Sequence, residues 1–532
     1  MRHLAFHHYV ALSALLLSAC TPGRLYSLEE GIELIDSGPG FDGGPGFDGG
    51  PRPDAGPGPD PDAGPGPDAG PGFDGGPPPD TFDGGPLPDE PLAPVTVRDL
   101  SAFQTVEIRM VQDGSSTTPN APLIAGRDAI FRATVAPDGG FSGSVEGRLT
   151  FTRGADERVF TDTVNVTGPI GDLPAEGFQF EVPGDWVDSS ASYVLSMHTT
   201  AGGGGAGARF PTGDGAQGLG AVDAPAIEIH LVPLRYNADG SGRLPAVTTP
   251  AGLALMQAHF DALLPTANVI LQVIAPVDLS TPVQRLSGGS WSAALQAVQQ
   301  ARANRSPSGH VYYLGLVSPA ESAGAYCGSG CIAGLGSVNT RNTPSARSSI
   351  ALGFDRESDL FSAIHEVGHN FGFPHAPCGS VNGPDPAFPY GGGLIGVWGL
   401  DQRTNRFVDP GTSDLMGYCR TKWVSDYNYQ RYYERAVAHG DGGAVLHAVP
   451  HVRITIEPFM APHRIGPELE APATVEEGGI ALEAFDADGN SVGQVIAHRQ
   501  ELSIPGIIQW LVPLSDDVER VELPEGALVR VR

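Results

Sequence analysis

The chain has 532 residues, with 31 Lys and Arg against 61 Asp and Glu and a formal net charge of −30. So acidic a balance offers no basic footprint for nucleic acid, and the length leaves room for several domains. Much of the charge falls in one Gly/Pro/Asp-rich stretch, where it reports solubility and extension rather than a binding surface.

The chain opens on a targeting signal. Arg2 and His3 precede an apolar run from Ala11 to Leu17, and Leu17-Ser18-Ala19-Cys20 fits a bacterial lipobox with Cys20 as the lipidation site. The run is too short to span a membrane. Residues 1–20 are therefore read as a lipoprotein signal peptide, with a plain secretory signal as the alternative. The expected location is the outer membrane or cell surface of a bacterium, with the membrane reached through a lipid anchor. Residues 21–93 follow as a tether, with Asp at 36, 42, 48, 54 and 60 and again at 62, 68, 74 and 80. Too few apolar groups are present to offset the entropy of ordering, so the tether is read as disordered and self-repelling. Gly50-Pro51-Arg52-Pro53-Asp54 breaks the strict third-position glycine of a collagen helix.

Residues 94–222 alternate short apolar and polar runs, such as Thr105–Met110 and Ala129–Val135, with Gly, Pro and Asp turns. That pattern predicts a β-sandwich. From 226 the period changes: Ile227–Val232, Val269–Ile274 and His310–Val317 read as strands, with helices over Ala251–Leu264 and Trp291–Asn304 between them. Such alternation predicts an α/β sheet, with a helix from about Asp359 to Asn370 packed beneath it. A helix capped by Ser425 is predicted to run to about His439. The last region, 446–532, returns to short strands and is read as a second β-sandwich. In it, Asp486-Ala487-Asp488-Gly489-Asn490 has the makings of part of a calcium loop, but no bidentate Glu follows at EF-hand spacing. A hairpin turn is the preferred reading there, with calcium as the lesser one. The fold class expected is thus α+β and multidomain, an α/β domain over 223–445 flanked by two β-sandwich domains.

Chemistry concentrates in His365-Glu366-Val367-Gly368-His369-Asn370-Phe371-Gly372-Phe373-Pro374-His375. On a helix the fourfold spacing of His365 and His369 turns by about 400°, so both imidazoles leave one face, one turn apart, and can share a metal. Glu366 lies one step round, suited to general-base work. Gly372 can adopt the left-handed conformation that ends a helix and let the chain swing back to deliver His375. Three nitrogen ligands leave a fourth position open, the mark of a catalytic zinc site.

Beyond the motif, Ser413-Asp414-Leu415-Met416-Gly417-Tyr418 supplies a methionine in a tight turn. Together these segments resemble the metzincin clan of zinc metalloproteases over about residues 225 to 440, the secreted bacterial type related to pappalysins and mucin-degrading proteases. The resemblance implies His365, His369 and His375 as zinc ligands, Glu366 as general base and Met416 as the turn methionine. Tyr418 is implied as an additional zinc ligand or oxyanion stabiliser, with a packing role as the alternative. It also implies that Ser349–Phe354 is the edge strand receiving an extended substrate, although a buried interior strand fits the same residues. Asp414 and Asp426 are candidates for orienting the imidazoles. The expected activity is zinc-dependent hydrolysis of extracellular protein or glycoprotein substrates, and the rival reading is a non-catalytic surface adhesin or glycan-binding lipoprotein.

With Cys20 given to lipid, Cys327, Cys331, Cys378 and Cys419 remain and can pair in three ways. Cys378 lies three residues past His375 and Cys419 three past Met416, which favours a bridge between them. Cys327 and Cys331 would then close a local loop. A second zinc site is the rival, but it lacks C-x-x-C spacing. No thiol is left upstream for a cysteine switch, so any latency is expected to use a carboxylate or steric cover.

Overall fold

The computed structural model describes residues 91–381, 383–440, 448–456, 463–472, 479–504, 507–515 and 517–532. Cys20, the lipobox and nearly all of the expected tether lie outside the described residues. The protein is a mixed α/β molecule dominated by several sheets, with few helices.

Residues from Val95 to Gly218 form two antiparallel five-stranded sheets. Alternate residues of facing strands, among them Phe131, Phe151, Phe178 and Phe180, are buried between them, and the Phe131 and Phe151 rings meet edge to face with centroids 5.4 Å apart. This core does not end at the sheets, since it is continuous with side chains of the next region such as Phe260, Ile364 and Trp423. Buried polar contacts reinforce the junction: Thr105 Oγ1 donates to the Ala262 carbonyl at 2.7 Å, and Trp423 Nε1 donates to the Thr105 carbonyl at 2.8 Å.

The central sheet begins with β1 (Ile227–Tyr236), followed by α1 (Pro250–Leu263), β2 (Val269–Val273), α2 (Gly288–Arg305) and β3 (Tyr312–Val317). Thr249 and Ser287 cap the two helices by accepting from Gly252 N–H and Ser290 N–H. β4 (Gly334–Val338), β5 (Ser348–Leu352) and α3 (Glu357–Asn370) complete the unit. The strand order is β2-β1-β3-β5-β4, the first four parallel and β4 antiparallel. Burial on both faces explains the near-continuous apolar strands. Ile229, Leu231, Leu314 and Ala351 pack with Ile364 and Val367 of α3, whereas Val232, Leu234, Tyr313 and Ile350 pack with Trp291, Leu295 and Val298 of α2.

One expectation is corrected here. Ser349–Phe354 is not an edge: β5 pairs with β3 on one side and β4 on the other, and every residue of β5 is buried. The antiparallel β4 is the outer strand of this unit. The physical reason is that β4 and β5 are added in reverse of chain order, the later strand taking the place beside β3.

After α3 come the loop to Thr412, the turn around Met416, and α4 (Asp426–Gly440), capped by Ser425 Oγ accepting from Asn428 N–H at 3.2 Å. The strands from Ala448 onward enclose a separate apolar core containing Val452, Leu482, Trp510 and Val521. Among them β6 (Ser491–Leu502) and β7 (Ile508–Pro513) form an antiparallel pair, and the end of β6 also pairs with β4. The expected terminal β unit is therefore tied into the central sheet rather than merely flanking it. The Asp486–Asn490 segment is a hairpin turn in which the Asp486 carboxylate accepts from Asn490 N–H.

Candidate active site

α3 carries the first two histidines. Glu357 and Asp359 stand in its first turn, where acids favour the helix dipole, and Asp359 is also held by Arg356 at 2.8 Å. Asn370 fastens the far end, its Nδ2 donating to the carbonyls of Ser337 on β4 and Ser348 on β5. Gly372 has φ +93°, the left-handed conformation expected of it, and the chain turns there to bring His375 back. A nitrogen from each of His365, His369 and His375 falls in one cluster, all within 4.8 Å of one another, and all three residues are buried.

The rings are aimed by backbone. His365 Nδ1 donates to the Leu415 carbonyl at 2.8 Å, and His369 Nδ1 donates to the Phe373 carbonyl at 2.7 Å. With the protons on Nδ1, the Nε2 atoms present lone pairs, and those of His365 and His369 face each other at 3.0 Å. Burial, followed by the neighbouring imidazoles, holds both rings well below the usual histidine range, and so neutral. Two buried lone pairs aimed at one point repel unless a cation lies between them. Three clustered imidazole nitrogens, two of them held neutral, suit zinc, so the residues fit the metal. Neither Asp414 nor Asp426 is the acceptor for Nδ1 of His365 or His369. Asp414 accepts from Met416 N–H at 2.7 Å, Ser425 N–H at 3.0 Å and Asn428 Nδ2 at 2.9 Å, and thereby shapes the turn whose Leu415 carbonyl holds His365. Asp426 accepts from Asn120 and Tyr390 instead.

Met416 is fully buried beneath α3; a Cβ on Gly368 would come within 2.5 Å of its Sδ. The third-ligand loop and this turn are joined three times: Ala376 N–H donates to the Met416 carbonyl, Tyr418 N–H donates to the Cys378 carbonyl, and Cys378 bridges Cys419. Cys327 bridges Cys331 locally. The Tyr418 ring lies against His375 and His365, with centroids 4.7 and 5.9 Å away.

Glu366 is 6 % exposed. Burial pushes its carboxyl up to about 8, opposed by a Ser503 hydroxyl hydrogen bond and the charge of Lys422. Three features around it were not anticipated. Gly334 and Gly336 of β4 let the carboxylate lie against the strand, since a Cβ there would come 2.6 Å from Glu366 Cγ and 2.8 Å from its carbonyl oxygen. Alternating glycines inside a strand were the available signal for such close approach. Lys422, its ammonium pushed down to about 8 by burial, donates to the Gly417 carbonyl at 2.8 Å. Ser503 donates to Glu366 Oε2 at 3.0 Å from 137 residues away, a separation no local pattern encodes.

Residues 302–445 match a protein-family model described as Peptidase M66. The match supports a metallopeptidase, and it spans the three histidines, Glu366 and Met416. Among curated proteins, none matches the chain.

Proposed function

We propose that this chain is a zinc-dependent endopeptidase, a metzincin-like enzyme acting on extracellular proteins or glycoproteins. The observation that carries the reading is the convergence of the three histidine nitrogens within 4.8 Å, with a buried carboxylate on the helix that bears two of them, inside the segment that matches a peptidase family. When bound, zinc would supply Lewis acidity toward water and the scissile carbonyl. His365, His369 and His375 would hold it, with Leu415 and Phe373 carbonyls fixing the first two rings. Glu366 takes a proton from the attacking water onto its carboxylate and returns it to the departing amine. Burial raises its proton affinity toward neutrality, which suits a group that must both accept and release a proton near pH 7. The Tyr418 ring packs against His375, and its hydroxyl would serve a developing oxyanion.

The same reading puts the enzyme outside the cytoplasm on a lipid at Cys20, with the Gly/Pro/Asp-rich segment giving it reach to macromolecules near its own membrane. Cys20→Ser is expected to release active enzyme into the soluble fraction; retention of that variant on membranes would remove the anchor from the account. For the activity itself, cleavage of casein and of a mucin is expected to stop on chelation and to return on addition of zinc. Cleavage that persists at full rate under chelation would refute it.

A further inference from the structure

The outer edge of β4 is occupied by this chain itself. Glu501 and Leu502, at the end of β6, pair antiparallel with Val338 and Ser337. One residue on, Ser503 N–H donates to the Gly336 carbonyl at 2.9 Å, and the Ser503 hydroxyl accepts from Gly336 N–H at 2.9 Å. The same hydroxyl donates to Oε2 of Glu366 at 3.0 Å. Both backbone groups of Gly336 and one oxygen of the carboxylate are thus engaged by a single residue. The segment is anchored from behind: Leu502 and Ile507 are buried in the core that contains Trp291 and Tyr326, and Ile504 packs against it.

We propose that Glu501–Ile504 is a built-in pseudo-substrate, an extended strand laid along β4 that has to lift before a substrate reaches Glu366. The proposal rests on the peptidase reading above. An extended peptide adds to a sheet through the outward N–H and C=O groups of the edge strand. At Gly336, beside Glu366, those groups are already satisfied, so an incoming peptide only exchanges one set of hydrogen bonds for another. A hairpin that merely extended the sheet would need the backbone pairs alone. The added hydroxyl on Glu366 engages the group that has to receive the proton.

Ser503→Pro removes both the N–H and the hydroxyl that face Gly336 and Glu366 but keeps the hairpin bond from Leu502 N–H to the Ile507 carbonyl. In the full zinc-loaded chain, a peptidyl hydroxamate is expected to bind Ser503→Pro at least about tenfold more tightly than the wild type, with faster amide exchange at Gly336 and Val338 and faster casein cleavage. Ser503→Ala, which keeps the N–H, should give a smaller gain of the same sign, and it decides the question if Ser503→Pro loses its zinc. Equal hydroxamate affinity in wild type and variants would overturn the proposal. So would a Ser503→Ala chain that loses casein cleavage at unchanged hydroxamate affinity, because Ser503 would then position Glu366 rather than cover it. Tighter hydroxamate binding without any casein cleavage would support the cover while removing the peptidase reading.

Discussion

Replacing Asp414 separates the turn from the metal ligands it supports. Its carboxylate is fully buried and accepts three hydrogen bonds, from Met416 N–H and Asn428 Nδ2 on Oδ1 and from Ser425 N–H on Oδ2. Asp414→Ala leaves three buried donors without an acceptor, at about 1–3 kcal/mol each, so a local loss of roughly 3–9 kcal/mol is expected. Asp414→Asn keeps Oδ1 for two donors and turns an NH₂ toward the third, so about 1–3 kcal/mol is expected for that variant. Because the chain has several cores, the appropriate assay is local: amide exchange at Met416 and Ser425, followed at neutral pH. Exchange should accelerate by about a hundredfold or more in Asp414→Ala and by roughly ten- to a hundredfold in Asp414→Asn. Zinc affinity should fall with it, by about 10–100-fold in Asp414→Ala, because the Leu415 carbonyl that aims His365 belongs to the same turn. Exchange within threefold of wild type in Asp414→Ala, at unchanged zinc affinity, would refute the claim that this carboxylate holds the ligand set in place.

Removing the bridge across 41 residues by Cys378→Ala with Cys419→Ala should cost about 4 kcal/mol of stability on chain-entropy grounds, read as a lowered denaturation midpoint. Gly368→Ala should destabilise by about 1–3 kcal/mol despite alanine's better helix propensity, because the new methyl meets Met416 Sδ and Tyr432 Oη; thermal melting checks it. In the metal-free chain, burial holds His365 and His369 neutral below their ordinary value of 6.5, so the unfolded chain binds protons that the folded one does not. Stability from this source is whole above pH 6.5 and is lost as pH falls below it. His365→Gln with His369→Gln should therefore flatten the acid slope by up to about 2.7 kcal/mol per pH unit, measured by chemical unfolding in chelator between pH 7 and 5.

The histidine cluster was legible because it follows from local geometry: one helix repeat for His365 and His369, one left-handed glycine for the return to His375. The bridge from Cys378 to Cys419 was legible for a related reason, since both cysteines stand three residues beyond an active-site landmark. Strand identity within the sheet was not. A run such as Ser348–Leu352, buried throughout, looks the same whether it lies inside a sheet or covers an edge, and only its pairing with two neighbours decides. Asp414 was a candidate for orienting the imidazoles, but backbone carbonyls accept from His365 and His369 instead, and such acceptors leave no side-chain signature. Ser503 was invisible for the plainest reason. Its contact with Glu366 depends on how β6 from the terminal strands docks on β4, a long-range pairing that periodicity does not encode.

Zinc binding by three histidines and proton transfer by the carboxylate beside them are separated by one comparison on matched samples. Zinc content and casein cleavage should be measured together for the wild type, His369→Ala and Glu366→Gln. The wild type and Glu366→Gln should each carry about one zinc, with cleavage in Glu366→Gln reduced by on the order of a hundredfold or more, and His369→Ala should lose both zinc and cleavage. Full cleavage by Glu366→Gln, or zinc retained undiminished by His369→Ala, would contradict it.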